Sequence, residues 1–263
     1  MNLYSMALIS WGVMAIVMTA LYFVQRKTRN AGIVDVGWAF GVGVIAVFYA
    51  VCADGDGVRR LILALLACAW SLRLGIHLVT DRVIGRPEDG RYLALRKRWG
   101  ARAEPYLFIF FQVQAFWTVL FSIPFLPVVS NAAPSISGFD LAGIAIVLIA
   151  LSGESLADHQ LAAFKNRKDS KGRTCREGLW RYSRHPNYFF EWIHWFAYPL
   201  FALPGAGAWV ALAGPVVMLL FLYKITGIPF TEMQALRSRG DDYRNYQRST
   251  SAFIPWFPKK EIS

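Results

Sequence analysis

Leu179-Trp-Arg-Tyr-Ser-Arg-His-Pro-Asn187-Tyr-Phe-Phe-Glu191-Trp192 sets Arg181, Arg184, a His-Pro turn, an amide and a carboxylate directly before an apolar, aromatic run. Read as the entry to a membrane helix, it places Glu191 about one turn inside. A carboxylate there is costly, and by default it marks a functional site. The cations in front of it suit an anionic ligand held at the membrane surface.

Outward from this stretch, apolar runs recur along the whole chain. Of 263 residues, 56% are hydrophobic and 15% aromatic, against 17% charged. That balance excludes an ordinary soluble domain. Seven runs approach the ~20 residues that cross a bilayer: residues 3–24, 33–53, 61–80, 106–129, 139–157, 188–203 and 208–226. The expected fold is all-α: one polytopic, seven-transmembrane helix bundle over residues 1–263. Met1-Asn2-Leu3-Tyr4 carries no positive charge, so the first run reads as a retained helix rather than a signal peptide.

The net charge of +11 would suggest nucleic acid in a soluble protein. Here the cations lie between the apolar runs. All but three of the 28 Lys and Arg fall in residues 26–29, 82–102, 165–184 and 224–260, and these segments alternate with cation-poor ones. The exceptions are Arg59, Arg60 and Arg73. By the positive-inside rule the N-terminus lies outside and the C-terminus in the cytosol. The bilayer is the expected partner, with no nucleic acid and a monomeric state. A bacterial inner membrane is the expected location, or the endoplasmic reticulum in a eukaryote. Cys52, Cys68 and Cys175 are too scattered for a zinc site or a disulfide framework.

Polar residues interrupt the runs at Asp35, Arg73, His77, Gln112, Gln114, Glu154, Asp158, Glu191 and His194. Several fall near the inner ends, where one cytosol-facing pocket would gather them. Interhelical hydrogen bonds explain Gln112, Gln114 and His77 at least as well. Asp35, Arg73 and Glu191 each require a partner. Glu154 and Asp158, four apart, share a helix face and could accept from ribose hydroxyls. Eight Lys and Arg lie between Lys165 and Arg184, more than topology needs, and phosphates would account for the surplus. In residues 86–99, Tyr92, Leu95 and Trp99 recur at helical spacing among cations, as in a helix lying on anionic lipid. Gly41-Val-Gly43 lies inside an apolar run with no strand before it, so it reads as helix packing rather than a dinucleotide loop.

The segment from Glu154 to Glu191 and the tail Asp242-Tyr243…Tyr246…Phe253-Ile254-Pro255 resemble the steroid 5-alpha-reductase family, in a bacterial branch long catalogued as a domain of unknown function. The resemblance runs more weakly through residues 35–38, 70–73 and 86–99. It implies an integral membrane enzyme that binds NADPH from the cytosolic side and reduces the delta-4 double bond of 3-oxo steroids, or of similar apolar enones. By that resemblance, Asp158, Lys165 and Arg173 match positions holding the adenine, ribose and phosphate portion. Asn187 and Glu191 match an amide and a carboxylate near the nicotinamide, and Arg73 and Arg86 match arginines facing the phosphates. Glu154, Tyr182 and His185 complete the implied cofactor set. Asp35 lies near a carboxylate that polarises the substrate carbonyl, and Trp38, Trp70 and Gln112 join it on the substrate side. Trp70 stands where animal members carry a tyrosine paired with that carboxylate. The proton donor is then sought among Asp35, Glu191 and Tyr188, because a buried carboxyl can stay protonated and donate.

Three rivals fit parts of this pattern. Arg184-His185-Pro186-Asn187-Tyr188 also resembles the turn of membrane methyltransferases that use S-adenosylmethionine. Glu191 and His194 have the i, i+3 spacing of di-iron ligands, but the chain has only four histidines and no second such pair. A non-enzymatic transporter would place its polar residues near the midplane rather than toward one face.

Overall fold

The computed structural model describes residues 1–133, 136–203 and 205–259. Its regular structure is helical, and among the described residues there is no strand. The helices are α1 (Leu3–Thr28), α2 (Ile33–Cys52), α3 (Gly57–Leu78), α4 (Gly90–Trp99), α5 (Ala103–Ser122), α6 (Phe125–Val129), α7 (Gly138–Lys165), α8 (Pro186–His194), α9 (Ala197–Ala202), α10 (Ala208–Ala211), α11 (Ala213–Leu220), α12 (Ile228–Arg239) and α13 (Asp241–Ser249). Six helical stretches are long and apolar enough to cross a membrane: Leu3–Thr28, Ile33–Cys52, Gly57–Val83, Gly90–Ser122, Gly138–Lys165 and Ala208–Arg239.

The expected span over residues 188–203 differs. It consists of α8 and α9, separated by a turn at Trp195 and Phe196. Pro199 supplies the reason. It has no N–H to give the Trp195 carbonyl, so a continuous helix would lose that bond. Placed third in α9, proline falls among first-turn positions whose N–H groups have no intrahelical partner in any case. Helix α7 departs the other way. It runs eight residues past the expected end at 157, so Asp158 and Lys165 lie on the helix itself.

The chain divides into two compact units. The first is Met1–Asp140 with Tyr198–Ala213, and the second is Leu141–Ala197 with Gly214–Ser263. In the first unit, α2 packs on α1, α3 and α5. Two glycines of α2 permit the close approach. A Cβ on Gly43 would come within 2.4 Å of the Ser71 hydroxyl on α3, and one on Gly41 within 2.5 Å of Met14 on α1. Ser71 uses that proximity to donate to the Ala39 carbonyl at 2.8 Å. Gly41 and Gly43 are therefore packing residues, as expected from small residues at helix contacts.

Arg59 behaves differently from a cation in a loop. Its guanidinium is fully buried and clamps Asp140, also fully buried, with Nε to Oδ1 at 2.8 Å and Nη2 to Oδ2 at 3.1 Å. Nη1 adds the Ala133 carbonyl at 3.0 Å. A buried pair of this kind is bidentate and fixes the start of α7 beside that of α3. Removing one partner would strand a charge at about 3–5 kcal/mol.

Candidate functional site

The expected site residues divide between the two units. Asp35, Trp38, Arg73, Trp70, Arg86 and Gln112 belong to the first. Glu154, Asp158, Lys165, Arg173, Tyr182, His185, Asn187, Tyr188 and Glu191 belong to the second.

In the first unit, Asp35 sits in the first turn of α2, where a helix dipole favours an anion. Its partners come from the α3–α4 connection and from α4. Arg82 and Arg91 both bond Oδ2, Arg91 through Nη2 at 2.8 Å, and the Tyr92 hydroxyl donates to Oδ1 at 2.7 Å. Asp89 closes the cluster. It caps α4 by accepting from the Arg91 amide at 2.8 Å, and its other oxygen takes Arg91 Nη2 at 3.1 Å. Burial works against the Asp89 carboxylate, yet the hydrogen bonds and charge of Arg91, with help from Arg82, hold it below the usual carboxylate range. A second network lies beside it. Arg96 bonds Glu88 at 2.9 Å, Glu104 at 3.0 Å and the Gln25 amide oxygen at 2.7 Å.

Asp35 thus receives three hydrogen bonds, two of them from guanidinium groups. The same bonds correct one expectation. Helix α4 is not simply a lipid-lying helix. Tyr92 is buried, and Arg91 and Arg96 turn inward to carboxylates, while Leu93, Lys97 and Arg98 face outward. A tyrosine hydroxyl does meet Asp35, that of Tyr92, while position 70 holds a tryptophan. Trp70 is fully buried and packs edge-on against Trp38, with ring centroids 5.9 Å apart. Gln112 donates to the Thr19 hydroxyl of α1 at 3.0 Å, an interhelical bond. Arg73 is half-buried on α3, and Arg86 is exposed before α4.

In the second unit, Pro186 occupies the first turn of α8, where its missing N–H costs nothing. Asn187 follows, donating through Nδ2 to Asp158 Oδ1 on α7 at 3.1 Å and accepting the Tyr188 amide at 3.0 Å. Glu191, one turn further, is buried and accepts from the Trp195 indole at 3.0 Å. Glu154, one turn before Asp158, is buried too. By contrast Lys165, Lys168, Lys171, Arg173 and Arg181 are exposed. Arg173 meets Asp169 at 3.1 Å, both side chains largely in solvent.

The rest of the motif fastens the tail. Glu232 of α12 accepts from Arg184 Nε at 2.7 Å, from His185 Nε2 at 3.3 Å and from the Gln247 amide at 2.8 Å. Arg184 also reaches the Gln247 and Thr250 carbonyls, at 3.0 Å and 2.6 Å. Tyr246 donates to the Trp180 carbonyl, Ser183 to that of Phe253 at 2.7 Å, and the Trp256 amide to that of Tyr182 at 2.9 Å. Burial lowers the His185 pKa below the ordinary imidazole value, and it outweighs the pull of Glu232 in the other direction. The ring is therefore neutral near pH 7, with Nε2–H toward Glu232. It stacks on Tyr188 at 8° between planes, and the Tyr188 hydroxyl bonds that of Thr231 at 3.1 Å.

Arg82, Arg91 and Glu232 carry no signal of their own in the sequence, and Tyr92 shows there only as part of an apolar helix face. Asp158 and Asn187 set an acceptor and an amide on adjoining helix faces, and most of the cations that follow α7 in sequence are exposed.

Helices of this length and hydropathy define a multi-pass, all-helical membrane protein. Residues 21–250 match a family described as a protein of unknown function (DUF1295), and the chain belongs to that family. No curated protein and no solved structure matches it.

Proposed function

We propose that the protein is an NADPH-dependent reductase of flat, apolar enones, with 3-oxo-delta-4 steroids as the substrate class that the sequence resemblance points to. The observation that carries this reading is the Asn187–Asp158 bond, which joins two positions assigned to one nucleotide site and sets buried Glu191 one turn away. The donor set fits the cofactor. Asp158 and Glu154 can accept from ribose hydroxyls, the Asn187 amide can bond a carboxamide, and Lys165, Arg173 and their exposed neighbours can meet phosphates.

Bound NADPH supplies a hydride to the β carbon of the enone. Negative charge then develops on the carbonyl oxygen, which calls for a donor at that oxygen. Within the second unit we assign that donor to Tyr188, whose hydroxyl lies 3.1 Å from that of Thr231 and carries a proton to give. Hydride addition leaves an enolate, and a proton taken from water at the α carbon completes the saturated ketone.

The test is incubation of detergent-solubilised protein with NADPH and a delta-4-3-oxo steroid, followed by mass analysis. A product two hydrogens heavier is expected. Release of S-adenosyl species from the purified protein, with no NADPH binding, would favour methyl transfer and contradict this reading.

A further inference from the structure

Helix α12 presents Pro229, Met233, Leu236 and Arg237 at i, i+4, i+7 and i+8, the spacing of one helix face. Arg244 and Gln247 of α13 stand opposite. With Glu232 they line an open groove of about 570 Å³. Its polar groups are unequally engaged. Glu232 already accepts from Arg184, His185 and Gln247. Arg244 uses one nitrogen on exposed Asp241 at 2.6 Å, and a guanidinium has five donors to offer. Arg237 is exposed and has no ion-pair partner among the described residues. The groove thus joins an apolar strip to two cations from different helices. It lies on the helical stretch Ala208–Arg239, which is apolar enough to cross a membrane and turns polar along α12.

We propose that this groove binds one anionic phospholipid. The phosphate sits on Arg237 and Arg244, and the first part of an acyl chain lies along Leu236, Met233 and Pro229. Charge complementarity selects the occupant. A zwitterionic lipid gains little from a pair of arginines, whereas each basic residue near an anionic surface adds appreciably to binding. The apolar strip separates a lipid from a free phosphate, which would have no use for Met233 or Leu236. This site rests on the groove alone and stands whether or not the protein reduces enones.

Native mass spectrometry of the full chain, extracted into detergent with mixed phosphatidylglycerol and phosphatidylcholine, tests it. The wild-type protein is expected to retain one phosphatidylglycerol in preference to phosphatidylcholine. The double variant Arg237→Gln with Arg244→Gln should lose that retention on the order of tenfold, and the matching double Lys variant should keep most of it. Met233→Glu leaves both cations in place and should also weaken retention, so the proposal stays testable if the Gln pair does not fold. Equal retention of both lipids, no loss in the Gln pair or in Met233→Glu, or complete displacement by inorganic phosphate would overturn it.

Discussion

The cluster around Asp35 and the segment from Lys165 to Arg181 are both rich in arginine, yet they use it in opposite ways. Around Asp35, Arg82 and Arg91 face carboxylates at hydrogen-bonding distance, and Arg96 next door is held by Glu88 and Glu104. From 165 to 181 most of the cations are exposed, and the ion pairs Arg167–Glu177 and Arg173–Asp169 lie in solvent, while half-buried Arg176 reaches Asp242 at 3.1 Å. Surface pairs of that kind contribute little to stability. Charge in the first cluster is balanced internally and serves the fold. Charge in the second faces solvent, where the proposed function gives it a phosphate to meet.

Substitutions can break or sharpen this contrast. The largest expected effect is on turnover. On the proposed function, Glu191→Gln should lower steroid reduction by about a hundredfold or more while the helical content stays unchanged by circular dichroism, because it alters a buried carboxylate beside the proposed nucleotide site. Next is stability in the internally balanced cluster. Asp35→Asn removes the carboxylate that Arg82 and Arg91 share, leaves them Asp89 alone, and should cost about 1–3 kcal/mol, read as a lower unfolding temperature. Third is selectivity in the solvent-facing segment. Arg173→Gln should weaken NADPH by about tenfold more than NADH, since one charge-assisted bond to the 2′-phosphate is lost. Equal weakening would remove Arg173 from that role. Smallest is the exposed Arg167–Glu177 pair, where Glu177→Gln should leave the unfolding temperature unchanged.

Acidification probes the tail-fastening site separately. The folded His185 binds a proton less readily than the unfolded chain does. Its contribution to stability is therefore complete above the ordinary imidazole value of about 6.5 and is lost as pH falls through the lowered one. The loss has a limit of about 1.4 kcal/mol per pH unit. His185→Gln should flatten that part of the stability profile. A profile as steep as wild type would show that another group titrates there.

Much of the architecture was readable from local signals. Unbroken apolar length announced the membrane helices, and the glycine pair of α2 announced close packing. The need of Asp35 for partners followed from the cost of a bare carboxylate in oil. Its actual partners did not follow, because Arg82, Arg91 and Tyr92 reach it across 47 to 57 residues of sequence. Periodicity put Tyr92 on one face of α4 but could not tell protein from lipid on that face. The break at Trp195 was hidden because hydropathy does not register the carbonyl that Pro199 leaves without an amide. Likewise the motif at 179–192 and the tail at 242–255 each stood out alone. That one holds the other through Glu232 depends on tertiary contacts.

The most direct test of the central claim is calorimetric titration of the solubilised protein with NADPH and, separately, with S-adenosylmethionine, repeated on Asp158→Ala. The account predicts that NADPH binds, that Asp158→Ala weakens it severalfold, and that S-adenosylmethionine gives no heat. Binding of S-adenosylmethionine in place of NADPH, or NADPH binding indifferent to Asp158, would contradict it.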